Sequence, residues 1–151
     1  MKLDELIARF ADNAGIDDAT PVEGVWKFSA DGNVFGMTTN DTDDKVWIFG
    51  EVALPDPERK DAFLRSAMEA NHFHRGTGGA TFSINPDTGA LTLFASERLA
   101  GLGEEAFFSF VEKFVNVLAT WNGLAEGAGG QAGTDGDSQP GQAIDGIFMP
   151  V

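Results

Sequence analysis

Apolar residues at Leu3, Leu6, Ile7, Phe10 and Ala14 recur at the spacing of one helical face, and Gly15 behind them suits the left-handed turn that closes a helix. From Gly24 onward the period drops to two. Trp26 and Phe28 alternate with Lys27, Asp31-Gly32 offers the positive φ angles of a tight turn, and Phe35 and Met37 alternate on the return. After the polar stretch TTNDTDDK, a solvated turn, the run Val46-Trp47-Ile48-Phe49 is apolar on both faces and predicts a central strand, covered on both sides and continuing towards Leu54.

A second helix starts at Pro55-Asp56-Pro57-Glu58, where Asp56 caps and Pro57 occupies a first-turn position that has no use for an N–H. Phe63, Leu64, Ala67, Met68 and Asn71 share one of its faces, and it stops before the glycines Gly76, Gly78 and Gly79. Phe82 and Ile84 then alternate with polar residues, Asn85-Pro86-Asp87-Thr88-Gly89 forms a turn, and Leu91, Leu93 and Ala95 alternate back. A third helix from about Glu104 carries Phe107, Phe108, Val111, Phe114, Val115, Leu118 and Trp121 on a wide apolar stripe. The predicted order is α-β-β-β-α-β-β-α. Strands joined by short turns make an antiparallel sheet with helices laid against it, an α+β domain over residues 1–122.

Residues 123–142 are different in kind. From Gly123 to Gly141 there are seven glycines and neither an aromatic nor a basic residue, which reads as a linker. It leads to an apolar peptide, residues 143–151, with Ile147, Phe148 and Met149 as compact anchors. An apolar peptide at the end of a polar linker calls for something to dock on, in its own chain or in a dimer mate.

Composition narrows the function classes. Ten Lys plus Arg against 24 Asp plus Glu give a formal charge of −14, a field that repels nucleic acid and anionic membrane surfaces and favours basic or amphipathic polypeptide partners. Cysteine is absent, which removes disulfides, thiolate metal sites and a Cys nucleophile, and fits the cytosol. The opening MKLDELIARF lacks the basic and unbroken apolar regions of a signal peptide, and no apolar run reaches the ~20 residues of a membrane span. The expectation is a soluble, cytoplasmic protein without membrane insertion.

Four stretches together resemble the class I type III secretion chaperones, the Tir chaperone family, over about the first 122 residues: LDELIARFADNAGI, VWIFGEVALPDPERKDAFLRSAMEANHF, ATFSINPDTGALTLFA and EEAFFSFVEKFVNVLATWNGLA. They correspond to that family's first helix, its central strand with the LP turn and second helix, its second hairpin, and its closing helix. Their joint order and spacing carry the likeness. The resemblance implies a bacterial, cytoplasmic homodimer without cofactor or enzymatic turnover. It would hold the extended N-terminal segment of a secreted effector and hand it to the secretion ATPase. The linker and tail depart from the family, whose members end soon after the third helix.

On that footing Leu3, Leu6, Ile7 and Phe10 of the first helix and Trp26, Phe28, Phe35 and Met37 of the first hairpin are the candidate partner-binding residues; burial in the core is the competing fate of each. Phe63, Ala67 and Met68 of the second helix and Phe82 and Ile84 of the neighbouring strand are the candidate dimer interface. A regulatory protein of the same fold, acting by partner sequestration, would share these patterns.

Other chemistry finds little support. His72 and His74, even with Asp61 or Glu69 as helpers, do not make the three or four convergent ligands of a metal site. Asp41, Asp43 and Asp44 lack the glycine and closing glutamate of a calcium loop. Gly76, Gly78 and Gly79 follow a helix and precede a strand, the reverse of a phosphate-cradling order. No Ser/His/Asp set has a motif context, so no catalytic residue is assigned.

Overall fold

The structure is a computed structural model, and it describes residues 2–40, 42 and 44–128. Helix α1, Leu3–Ala14, ends at Gly15 in the left-handed conformation, φ 71°, and the Ile16 N–H closes the cap on the Ala11 carbonyl at 2.8 Å. Strands β1, Trp26–Ala30, and β2, Asn33–Thr39, are joined by Asp31 and Gly32, both at positive φ, 52° and 83°. Those angles define the two-residue turn whose twist matches a hairpin. Asn40 organises the next turn, its Oδ1 accepting from the backbone N–H of Asp44 and of Lys45, each at 3.1 Å. The Asp44 carboxyl accepts from Asn40 and Thr42, which holds its pKa below the ordinary value. Asp41 and Asp43 of the same acidic stretch lie outside the described residues.

Strand β3, Lys45–Val52, leads to α2, Pro57–Asn71, where the Asp56 side chain accepts from the Arg59 N–H at 3.1 Å and Pro57 takes the first turn. A 3-10 turn, His72–His74, follows, with Phe73 and His74 both left-handed at φ 52° and 54°. Strands β4, Thr81–Ile84, and β5, Leu91–Arg98, form the second hairpin, and α3, Glu104–Gly123, runs on into a π-helical turn, Leu124–Ala128. Ala125 of that turn is buried and Leu124 packs against the core, so the packed chain runs two to three residues past position 122.

The five strands form one antiparallel sheet in the order β1-β2-β3-β5-β4. All three helices cover the same face. Phe10 of α1 meets Phe28 edge-on at 5.7 Å, α3 sets Leu118 against Gly50, and Trp121 of α3 lies between Phe63 of α2 and Phe82 of β4 at 5.7 and 4.7 Å. The Trp121 indole also donates to the Gly76 carbonyl at 3.1 Å, tying α3 to the loop after α2. The stripe Phe107, Val111, Phe114, Leu118 and Trp121 is buried throughout, whereas Phe108 and Val115 flank it half-buried. The result is a two-layer α+β domain with a single core.

Candidate functional site

The parity of backbone hydrogen bonding across the sheet is fixed at the Asp31-Gly32 turn. In a two-residue hairpin the flanking residues, Ala30 and Asn33, form a hydrogen-bonded pair, and bonding then alternates along the ladder. Phe28 and Trp26 therefore turn their backbone groups to β2, and Lys27 and Ser29 turn theirs outward. Among the described residues, neither Lys27 nor Ser29 makes a backbone bond outside the β1–β2 hairpin. Strand β1 is an open edge.

Carried through the five strands, the same parity turns the backbone of Phe82 outward at the opposite edge. There it is met. The Phe82 N–H donates to Asn71 Oδ1 at 2.8 Å, and Asn71 Nδ2 donates to the Phe82 carbonyl at 3.1 Å. One side-chain amide at the end of α2 thus imitates an added strand and closes the middle of the β4 edge.

The uncovered sheet face carries one cross-strand row through all five strands: Lys27, Gly36, Phe49, Phe94 and Thr81. A Cβ at Gly36 would stand 2.8 Å from the Phe49 ring, so the missing side chain is what lets that ring lie across β2. Trp47 joins the row diagonally, its ring 6.1 Å from Phe94, with the Lys45 ammonium 6.0 Å from the indole centre. Val34 on the same face is 59% exposed. At the hairpin-turn end a cleft of about 850 Å³ opens, bounded by Lys27, Val34, Phe49 and Thr92 of the sheet, by Asn122 of α3 and by Glu126 of the π-helical turn.

Against this geometry the sequence expectations divide. Leu6, Ile7 and Met37 have no exposed surface, and Leu3, Phe28 and Phe35 are buried with them in the core beneath the helices. Reading these six as partner contacts is corrected: their alternation and helical spacing are those of residues that fill the space between the two layers. Phe10 and Trp26 keep partial exposure, Phe10 wedged between Phe28, Phe107 and Phe108. In the expected dimer surface, Phe63, Ala67 and Phe82 are likewise buried within the chain, whereas Met68 at 62% and Ile84 at 54% face outward from adjoining elements. Ile147, Phe148 and Met149 lie outside the described residues.

Sequence reasoning missed Phe73, the most exposed large apolar residue described, at 86%, in a backbone conformation unusual for a bulky side chain. It missed the outer aromatic row too, because an apolar run through β3 gave no sign that one face lacks helices. His72 packs its ring on Phe73 at 4.5 Å, and His74 Nε2 bonds Thr81 Oγ1 at 3.1 Å. Among the described residues no group of three or more His, Asp or Glu is placed to hold a metal ion, and no helix is long and apolar enough to cross a membrane.

Solved type III secretion chaperones share this helix-backed antiparallel fold. The sequence matches the model of the Tir chaperone protein (CesT) family over residues 5–122, and the chain belongs to that family. Among solved structures, a chain of the ExsC–ExsE complex superposes with a TM-score of 0.65 at 20% identity, covering 83% of this chain and 97% of that one. The HopA1–SchA chaperone–effector complex gives 0.63 at 10% identity, with 79% and 91% covered. The Yersinia pestis type III secretion chaperone SycH, in complex with a stable fragment of YscM2, gives 0.57 at 15% identity, with 78% and 97% covered. At such identities the likeness is one of fold. No curated protein sequence matches the chain.

Proposed function

We propose that this chain is a type III secretion chaperone that works in the bacterial cytoplasm, binding an extended N-terminal segment of a secreted effector and keeping it competent for export. The observation that carries the reading is the open β1 edge in a member of the Tir chaperone family. An incoming strand finds outward backbone groups at Lys27 and Ser29 for its main chain, and half-exposed Trp26 and exposed Val34 to either side of the edge for alternate side chains. Main-chain pairing is tolerant of sequence, which suits a partner held unfolded. The solved complexes named above, of a chaperone with an effector and of a secretion chaperone with a protein fragment, are of the kind this reading requires. No catalytic step and no cofactor belong to it, and delivery to the secretion ATPase follows binding.

The same reading assigns a homodimer through α2 and β4, with Met68 and Ile84 as its exposed apolar contacts. Asn71 has a second use there, since a closed β4 edge directs partner strands to β1. The test is capture of tagged protein from lysate of its own cells, followed by the solution mass of the complex. The expected result is a dimer carrying one secreted protein through its N-terminal region. A monomer that captures nothing, or one that captures a transcriptional regulator, would contradict it, the latter in favour of sequestration.

A further inference from the structure

The cleft at the hairpin-turn end of the outer face adjoins the β1 edge at Lys27 and Val34 and extends beyond it across β2 and β3 to the end of α3. Its floor is apolar, with Val34 largely exposed and the Phe49 ring laid over Gly36. Its rim includes Asn122 and Glu126, so the chain leaves α3 beside it. Among its described lining residues Lys27 is the one cation, set against two carboxylates, Glu51 and Glu126.

We propose that this cleft is a docking site for the chain's own apolar segment, residues 143–151, bound in cis. The segment AIDGIFMPV supplies Ile147, Phe148 and Met149 as anchors and carries a single charged residue, Asp145, in a sequence that is 23% charged. That composition meets an apolar floor with a single negative charge to place beside Glu51 and Glu126, and Lys27 is the natural partner for Asp145. Eighteen residues, 129 to 146, separate the end of the π-helical turn from Ile147. A chain of that length reaches up to ~60 Å when extended. The full width of a five-stranded sheet is roughly 19 Å, so every part of the outer face lies within reach. A tethered segment meets its site at an effective concentration on the order of millimolar, enough for a weak peptide to occupy it. The cleft reaches β1 through Lys27, so a cargo strand would arrive beside an occupied groove. That consequence rests on the chaperone reading; the docking does not.

The test uses the full chain without cargo. Backbone amide resonances of Val34, Gly36 and Thr92 are compared between wild type and the Ile147→Asp/Phe148→Asp variant, and at tenfold dilution. The expected result is a shift at these three positions in the variant and none on dilution. Lys27→Glu and Asp145→Lys each move the same resonances, and the two combined bring them back towards wild type. Spectra that coincide at these positions would overturn the proposal, and so would shifts that fade on dilution, which would mean a second copy's tail. Because no partner is added, failure here leaves the chaperone reading untouched, and failed cargo capture leaves the docking untouched.

Discussion

Asn71 shows how much a single amide does in this fold. It satisfies both backbone groups of Phe82 at the middle of an edge strand whose side chain is buried. Asn71→Ala leaves that donor and acceptor without their partner, at an expected cost of about 1 kcal/mol for the loss of two partly buried hydrogen bonds. Urea unfolding should show it as a lower midpoint at unchanged slope. Glu112 is the opposite case, a residue that weakens the fold when charged. Partial burial raises its pKa, so the folded chain holds that proton more tightly than the unfolded one. Its stabilising contribution is complete below the ordinary carboxylate range and is lost as pH rises through the raised value. Glu112→Gln should therefore raise the melting temperature at neutral pH, and the gain should vanish in mild acid. Neither role was legible from the sequence: Asn71 looked like one more member of a helical face, and nothing near Glu112 marks its burial.

Among the elements, those whose ends are set by local chemistry could be read directly. Gly15, Asp31-Gly32 and Asp56-Pro57 act within a few residues, through positive φ or a side-chain cap, and the structure places α1, the first hairpin and α2 accordingly. Periodicity also separated the two faces of β1, β2, β4 and β5, but not of β3, whose run is apolar on both faces. It could not say which face the helices cover, since that is decided by contacts between distant segments, such as Phe10 with Phe28 and Leu118 with Gly50. Hence the apolar sides of α1 and the first hairpin, expected to meet a partner, instead meet one another. On α2 and β4 the same limit left two exposed residues, Met68 and Ile84, mixed with three core ones. Met68→Glu and Ile84→Glu in one chain should shift the solution mass from dimer to monomer while the far-ultraviolet circular dichroism stays unchanged, because both side chains are already in water in the isolated chain. A dimer that survives the pair would place the interface elsewhere.

At the scale of the whole molecule, helices back one face of the sheet, one edge is closed by Asn71, and among the described residues the other edge is open at Lys27 and Ser29. The family was legible in the order of its segments, although no single motif carried it, because packing a helix-backed sheet constrains where apolar residues recur more than which ones they are. Pairing of a partner strand with β1, as proposed above, can be tested with proline at the level of one atom. At Ser29 the backbone N–H points away from β2, so Ser29→Pro removes a donor that the fold does not use and blocks an incoming strand. The decisive measurement is parallel capture from cell lysate by wild type, Ser29→Pro and Ser29→Thr, with the bound protein weighed in each. The expected result is a secreted protein retained by wild type and Ser29→Thr and reduced more than tenfold by Ser29→Pro, with all three equally folded. Equal recovery on Ser29→Pro would contradict strand addition at β1.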